Sequence, residues 1–307
     1  MTALLALLLS VFTFVEYNVE NIFDTRHDEG KQDEEFLPDA TRHWTEKRSW
    51  KKLDRIGKSI LSTSEDGIPD LIALCEVEND QTLTDLTKRS LLRNAGYDYV
   101  MTQSPDARGV DVALIYSPFS FGLIRSYGLR VDTIPGMKPT RDILYACGQL
   151  QSGDTLHVFV VHAPSRFGGE KQTRPNRQLI ANRVIDAIRQ LPADAKVIVA
   201  GDFNDEATDP ALRFLEDNGL HNVTAHAQGS HGAKATYRYQ GFWQSIDHVF
   251  VSAGLLNSVE HSFINDAPFL LEEDKKYGGV KPLRTYNGYR YQRGFSDHLP
   301  LVVRLRD

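Results

Sequence analysis

Cysteine is scarce in this chain, with two residues among 307. Two thiols are too few for a disulfide framework or for a zinc site built on cysteine. Cys75 and Cys147 both lie inside apolar runs, "LIALCEV" and "ILYACGQ", where a buried unpaired thiol is more common than a disulfide. A chain of this length with 41% hydrophobic residues can bury a large core without such cross-links.

Repeats, low-complexity tracts and heptads are also missing, which excludes solenoids, collagen-like chains and coiled coils. A basic excess is missing as well, because 35 Lys and Arg stand against 41 Asp and Glu, for a net charge of −6. That balance argues against a protein that coats nucleic acid, whose affinity would rest on a basic surface. It leaves open an enzyme that acts on phosphates, because a cation in the site reverses the local sign of charge.

No apolar run reaches the length of about 20 residues that a membrane-spanning helix needs. The longest, "MTALLALLLSVFTF", begins the chain but lacks the cationic start and the cleavage site of a complete secretion signal. We interpret residues 1–10 as a signal remnant or an apolar N-terminal extension, and residues 11–307 as a single domain. A signal remnant predicts an exported or periplasmic protein, and otherwise we expect a cytoplasmic one.

The sequence does contain many short apolar runs, several of them apolar at successive positions, as in strands that are covered on both faces. These runs are "VFTFVEY" (11–17), "DLIALCEV" (70–77), "VDVALIY" (110–116), "LHVFVVHA" (156–163), "KVIVAGDF" (196–203), "IDHVFVS" (246–252) and "LPLVVRL" (299–305). Helical stripes lie between them, in residues 49–61, 179–191 and 209–219. In the last stripe, Asp209 is the expected N-cap, Pro210 the first helical residue and Gly219 the stop. The mixture predicts a layered α+β fold.

Polar side chains collect where these runs end or begin. Those that follow a run are Asn18, Glu76, His162, Asp202 and Asn204, and those that precede one are Asp111, Asp247, Asp297 and His298. In antiparallel neighbours the end of one strand lies beside the start of the next. We therefore predict that these side chains line one rim of the sheets.

The chemistry of this set indicates metal-assisted hydrolysis. Carboxylate and amide oxygens suit Mg²⁺ or Mn²⁺, whereas no set of cysteine and histidine ligands indicates zinc. Asp202 and Asn204 are two residues apart, so in an extended chain they point to the same side, where the carboxylate can deprotonate a water that the amide steadies. Asp247 with Asp297 and His298 offers an imidazole held and charged by a carboxylate. Taken singly, an acid before a strand is more often a turn residue than a catalytic one, and only the whole constellation favours catalysis.

Arginines near these positions indicate a phosphate substrate, because the guanidinium fork matches phosphate oxygens. For each of them a solvated surface charge is the alternative, and for Arg177 this is the surface of a helix. The candidates are Arg108, Arg166, Arg174 and Arg177.

Seven motifs occur in the order and contexts of a known family: "YNVENIFD", "LCEVEN", "DVALIY", "VVHAPSR", "GDFND", "IDHVF" and "SDHLPL". On these motifs, residues 11 to 305 resemble the endonuclease/exonuclease/phosphatase (DNase I-like) superfamily, and most nearly its bacterial members that begin "YNVEN". The resemblance implies a four-layer αββα sandwich, two packed mixed β-sheets flanked by helices, with the site at one edge. The stretch "FWQSIDHVF" departs from the inositol-polyphosphate 5-phosphatases of this superfamily.

The resemblance also implies roles for the polar set. Glu76 is the implied principal Mg²⁺ ligand, with Asn18 and Asp297 beside it, and Mn²⁺ or Ca²⁺ are alternative ions. Asp202, assisted by Asn204, would orient or activate the attacking water. His298, supported by Asp247, would contact the phosphate. His162 would help the leaving oxygen to depart. Asp111 would orient His162, an assignment that rests on its position alone.

From these observations we expect a Mg²⁺-dependent phosphoester hydrolase, foremost a phosphodiesterase or nuclease that acts by in-line attack of water. A phosphomonoesterase or a sphingomyelinase-like hydrolase of small or lipid phosphates is the alternative, and a non-catalytic phosphate-binding protein is a remote one. The expected partner is a phosphoester substrate, either nucleic acid or a small or lipid phosphate. We expect the chain to act as a monomer.

Overall fold

The computed structural model describes residues 11–64 and 67–306, so the segment 1–10, interpreted above as a signal remnant or an extension, lies outside the described residues. The helices are α1 (Glu46–Leu61), α2 (Asp80–Thr84), α3 (Glu170–Ile188), α4 (Pro210–Asp217) and α5 (Ala253–Leu256). The strands are β1 (Val11–Ile22), β2 (Leu71–Val77), β3 (Asp98–Met101), β4 (Asp111–Tyr116), β5 (Phe121–Leu129), β6 (Ile143–Leu150), β7 (Thr155–His162), β8 (Lys196–Asp202), β9 (Leu220–Asn222), β10 (Tyr237–Tyr239), β11 (Phe242–Gln244), β12 (Asp247–Ser252), β13 (Val259–Ile264), β14 (Leu271–Glu273), β15 (Val280–Pro282), β16 (Tyr286–Asn287), β17 (Arg290–Tyr291) and β18 (Leu301–Arg306). Short 3₁₀ turns and a π-helical turn occupy Glu34–Phe36, Pro268–Leu270 and Asp85–Arg89.

Two six-stranded mixed sheets form the centre of the fold. The first has the order β13-β18-β1-β2-β4-β3 and the second the order β5-β6-β7-β8-β12-β9. In each sheet one central pair is parallel, β1 with β2 and β7 with β8, and the other pairs are antiparallel. Three two-stranded ribbons, β10-β11, β14-β15 and β16-β17, complete the described strands.

Alternation along the strands creates three cores and therefore four layers. On β1, Phe12 and Phe14 face the second sheet, whereas Val15 and Tyr17 pack with the apolar face of α1. The outer face of the second sheet packs against α3 and α4 in the same way. Because successive residues of a strand point to opposite faces, strands buried on both faces must be apolar throughout, as the sequence predicted. The α+β four-layer αββα sandwich is confirmed.

The local signals in the sequence are confirmed at several points. Cys75 and Cys147 are free and buried. Helix α4 begins at Pro210 after Asp209, and Gly219 follows its end with φ of 90°. The carboxylate of Asp209, however, accepts hydrogen bonds from Glu206 N and Arg166 instead of capping the helix. Within the described residues, no helix is long and apolar enough to cross a membrane.

The register of the central strands brings their polar ends to one edge. Asn18 pairs with Cys75, directly before Glu76, in the parallel β1-β2 ladder. In the second sheet, His162 and Asp247 both pair with Asp202 across β7-β8 and β8-β12. The polar residues at the ends of the apolar runs thus form one rim, because these central strands start or end at the same edge of their sheets.

Candidate active site

A cavity of about 690 Å³ opens at this rim, where the edges of the two sheets meet. Nine of the predicted site residues line it: Asn18, Glu76, Arg108, His162, Arg166, Asp202, Asn204, Asp297 and His298. Four others do not: Asp111, Arg174, Arg177 and Asp247. Asp247 is nevertheless part of the site, because it lies buried directly behind His298.

His298 and Asp247 form a hydrogen-bonded pair, with 2.7 Å between Nδ1 and Oδ2. Thr236 donates its hydroxyl to the same carboxylate oxygen at 2.5 Å, which fixes the carboxylate. Burial lowers the pKa of His298, but the carboxylates of Asp247, Asp202 and Asp297 outweigh it and hold that pKa well above its usual range. The carboxylates around His298 therefore favour the protonated form of its ring.

Asp202 is held at the end of β8 by two donors. Asn18 Nδ2 donates to its Oδ2 at 3.0 Å, and the backbone N–H of Asn204 donates to its Oδ1 at 2.9 Å. Burial and then the Asp247 carboxylate raise the pKa of Asp202 to about 7. Asn204 reaches the cavity through a left-handed turn, with φ of 52°, and not through the extended chain that its spacing from Asp202 had suggested.

The backbone of β1 and β2 departs from regular strand geometry next to the cavity. Glu20, Asn21 and Glu76 have positive φ values of 49°, 55° and 68°, and the β1-β2 register shifts between Asn18 and Ile22. Non-glycine residues in this region are strained and cluster at functional sites. Here the bulge turns the Glu76 carboxylate toward Asn21 N, at 3.0 Å from Oε2, and into the cavity.

The donors around the cavity fit a divalent cation. Glu76, Asn18 and Asp297 present hard oxygen ligands to the same space. Burial raises the pKa of Glu20 to about 7, with Asp297 as the next cause, so carboxylates crowd here in a way that a cation would relieve. A second group, Asp202, Asp247 and His298, has ligand atoms within 4.8 Å of one another and could also hold a metal ion.

His162 is buried above Asp202, with 3.7 Å between Nε2 and Oδ2 and 4.0 Å from Nε2 to Glu76 Oε1. Burial, then Arg141 and Arg108, lower the pKa of His162 well below its usual range. Among the described residues, no hydrogen bond reaches its Nδ1. The expectation that Asp111 orients this ring is therefore wrong: the Asp111 carboxylate accepts from the Thr102 hydroxyl at 2.5 Å and from Ser104 N at 3.1 Å instead.

Two of the four predicted arginines point elsewhere. Arg177 is 2% exposed and forms an ion pair with Asp205, and Arg174 forms an exposed pair with Glu170 one helical turn away. Arg177 is turned away from the cavity, because the face of α3 that carries it packs on the loop after β8. Arg174 does not line the cavity either. Arg108 and Arg166 do line the cavity, as do two arginines that the sequence analysis missed, Arg141 and Arg284.

Arg284 and Glu16 are two residues around the site that the sequence analysis did not single out. Arg284 donates to Asp297 Oδ2 at 2.9 Å and to Glu20 Oε1 at 3.2 Å. Glu16 is fully buried, and burial, then Asp247 and Asp202, raise its pKa well above the usual range. The sequence did contain a signal for Glu16. It is a glutamate within the apolar run "FTFVEY", at a position that shares a strand face with Phe12 and Phe14. Arg284 offered no comparable signal.

A sequence model of the endonuclease/exonuclease/phosphatase family matches residues 13–307, nearly the whole chain. The chain belongs to this family. Members of the endonuclease/exonuclease/phosphatase family are phosphoester hydrolases that typically use a divalent metal. No curated protein sequence matches the chain significantly.

Solved structures agree with the family assignment. An endonuclease/exonuclease/phosphatase family protein from Bacteroides thetaiotaomicron superposes with a TM-score of 0.63 at 17% identity, over 96% of this chain and 97% of that one. A humanized TDP2 from D. rerio gives 0.62 at 17% identity, over 97% and 99%. A mannosyl-6-phosphatase from Bacteroides thetaiotaomicron gives 0.63 at 16% identity, over 95% and 98%. At these identities the likeness shows the fold alone.

Proposed function

We propose that the protein hydrolyses phosphodiesters, with nucleic acid as the leading substrate, in a Mg²⁺-dependent reaction carried out by a monomer formed by the single domain 11–307. The observation that carries this proposal is the placement of Asp202 in one cavity with His298, whose Nδ1 is hydrogen-bonded to Asp247. A carboxylate held by two N–H donors and an imidazolium within the same space are the groups that attack on phosphorus requires: one takes a proton and the other stabilises negative charge.

In the proposed reaction Asp202 accepts a proton from a water molecule, whose oxygen forms a bond to phosphorus. The bond from phosphorus to the leaving oxygen breaks, and that oxygen takes a proton from solvent. Asn18 and the Asn204 N–H keep the Asp202 carboxylate aimed at the water. Because the pKa of Asp202 is raised to about 7, the carboxylate is basic enough to accept this proton near neutral pH.

His298 stabilises the charge that develops on a phosphate oxygen, and Asp247 keeps it protonated. The lowered pKa of His162 means that this ring is neutral, so it would donate a hydrogen bond to the leaving oxygen and not a full positive charge. Arg108 and Arg166, which line the cavity, would donate hydrogen bonds to further phosphate oxygens.

Glu76, Asn18 and Asp297 would hold the ion, with Mg²⁺ favoured over Mn²⁺ or Ca²⁺ as an oxygen-bound cation that retains water. When bound, a divalent cation supplies Lewis-acid polarisation of the phosphoryl oxygen. Glu76 accepts from Asn21 N and from Arg108, which orients its carboxylate toward the cavity without filling both oxygens' bonding capacity.

Hydrolysis of a phosphomonoester, on a small or a lipid phosphate, is the second candidate. Four arginines line the cavity, a number that would also neutralise a dianionic phosphate. A protein of similar fold is named as a mannosyl-6-phosphatase, which supports a phosphomonoester as the alternative substrate.

The test is a substrate panel of single-stranded DNA, RNA, sphingomyelin and sugar and inositol phosphates, with and without EDTA. We expect turnover of a phosphodiester that EDTA abolishes, and that Asp202→Ala lowers by about 100-fold or more, the contribution typical of a general base. Asp217→Ala, an exposed aspartate on α4, is the matched control and should retain activity. Turnover that persists both in EDTA and in Asp202→Ala would contradict the proposed mechanism.

A further inference from the structure

Two aromatic side chains stand at the mouth of the active-site cavity and face solvent. Phe167 is 93% exposed and Tyr239 is 54% exposed, and both line the cavity that contains Asp202 and His298. They come from separate segments, the loop between β7 and α3 and the β10-β11 hairpin. Two exposed rings converging on one catalytic cavity differ from the single apolar residues that are scattered over ordinary surfaces.

Phe167 is held in place by its turn. The N–H of Gly169 donates to Arg166 O at 3.0 Å, and Gly168 takes the positive φ, 91°, that the third residue of a type II turn needs. Arg166 itself donates to Asn204 O at 2.7 Å and to Asp209 at 2.8 Å. The exposed ring therefore lies on a turn that is hydrogen-bonded to the loop after Asp202.

Tyr239 is connected through Tyr237 to His298. Tyr237, two residues earlier on the same face of β10, forms a β-bridge with His298, and the two rings are 4.8 Å apart. Tyr237 and Tyr239 both line the cavity. Since residues two apart in a strand share a face, the hairpin carries a line of rings outward from His298 to the cavity mouth.

The cavity is large and is lined by four arginines, each of which also contacts a carboxylate. Its volume of about 690 Å³ is in the range of about 300–1,000 Å³ that accommodates a drug-sized molecule, so it has room for far more than a phosphate group. Arg108, Arg141, Arg166 and Arg284 line it together with the two rings. Cationic side chains along a backbone path, with aromatic rings for the bases, are how proteins bind single-stranded nucleic acid.

We propose that Phe167 and Tyr239 stack on nucleobases next to the scissile phosphate, so that the substrate is a base-bearing phosphodiester in single-stranded form. This inference rests on the proposed phosphodiesterase function and specifies its substrate class. A duplex keeps its bases stacked on one another, so it would not offer their faces to these rings.

The test compares the binding of two probes, a phosphorothioate-linked thymidine trinucleotide and a trinucleotide with the same backbone and abasic sugars. We expect wild type to bind the first more tightly. Phe167→Ala and Tyr239→Ala should each weaken its binding by about 5- to 100-fold, the effect of losing one stacked base, and leave abasic binding unchanged. Phe167→Trp, which keeps an aromatic ring at this position, should bind the thymidine trinucleotide as tightly as wild type does. Phe119→Ala, which removes an 85% exposed phenylalanine outside the cavity lining, should change neither.

Equal binding of the two probes by wild type, or equal losses on both probes in the alanine variants, would overturn the inference. Sedimentation with phosphatidylcholine vesicles that Phe167→Ala abolishes, without loss of trinucleotide binding, would overturn it in favour of a lipid surface. Base-dependent binding without hydrolysis in wild type would reject the proposed function and leave the stacking site standing. Metal-dependent hydrolysis without any preference for bases would support the proposed function and reject the stacking site.

Discussion

Arg177 and Asp205 form a buried ion pair, with 2.5 Å between the guanidinium Nε and the carboxylate Oδ1. The pair joins α3 to the loop that follows β8, and Arg166 reaches the same carboxylate at 3.7 Å. Both partners are at most 2% exposed. The loop that presents Asp202 and Asn204 is thus fixed from the side away from the cavity.

Replacing Arg177 should destabilise the fold substantially. Arg177→Met leaves the Asp205 carboxylate buried without its main partner, and breaking a buried pair in this way costs about 3–5 kcal/mol. The measurement is the free energy of unfolding in urea. Arg174→Met on the same helix breaks the exposed pair with Glu170 and should change it by less than about 1 kcal/mol. Equal effects of the two changes would contradict this account.

The same pair shows which features of the structure could be predicted from the sequence and which could not. The positions of the central strands and the polar rim were predicted from apolar runs and from polar residues at their ends, which are local features. The roles implied for Glu76, Asp202 and His298 came from the family resemblance. That Arg177 turns inward depends on where the loop after β8 packs, which no local pattern records. The choice of Asp111 as partner of His162 failed for a related reason, because the carboxylate satisfies two donors from its own neighbourhood, Thr102 and Ser104.

The metal site offers a second prediction, because two sets of ligands are present. We expect Glu76→Gln to weaken Mg²⁺ binding, measured by calorimetry, by at least about 10-fold, the size of effect seen when ligand shells are disturbed. His298→Asn should leave it near the wild-type value, since a ring that Asp247 keeps protonated offers no lone pair to a cation. The opposite pattern would place the ion among Asp202, Asp247 and His298 instead.

A third prediction concerns pH. Burial lowers the pKa of His298, but the carboxylates of Asp247, Asp202 and Asp297 together raise it, and the proposed reaction needs the charged ring. The charge on His298 is complete below its raised pKa and is lost as pH rises through it, so His298 sets the alkaline limb of the activity profile. Asp247→Asn should therefore move the alkaline limb of the kcat profile to lower pH and reduce kcat by about 100-fold or more.

Asp111→Asn is the control for that experiment, because the Asp111 carboxylate is also buried. Among the described residues it accepts hydrogen bonds only from Thr102 and Ser104. The substitution should leave the position of the alkaline limb unchanged, even where it lowers the melting temperature. A shift of the limb in Asp111→Asn equal to that in Asp247→Asn would show that the pH dependence has another origin.

The last prediction concerns the glycine that precedes Asp202. Gly201 has φ of 144°, and a Cβ added to it would lie 1.8 Å from the carbonyl oxygen of Val161 on the paired strand β7. Neither backbone can move without breaking the ladder that sets His162 opposite Asp202. Gly153 also has a positive φ, 90°, but an added Cβ would meet nothing within 4 Å. Gly153→Ala should therefore cost only the backbone strain, about 1–2 kcal/mol, whereas Gly201→Ala should cost several times as much in urea unfolding and abolish activity in any folded fraction. A Gly201→Ala protein as stable as Gly153→Ala would mean that the two strands do not approach this closely.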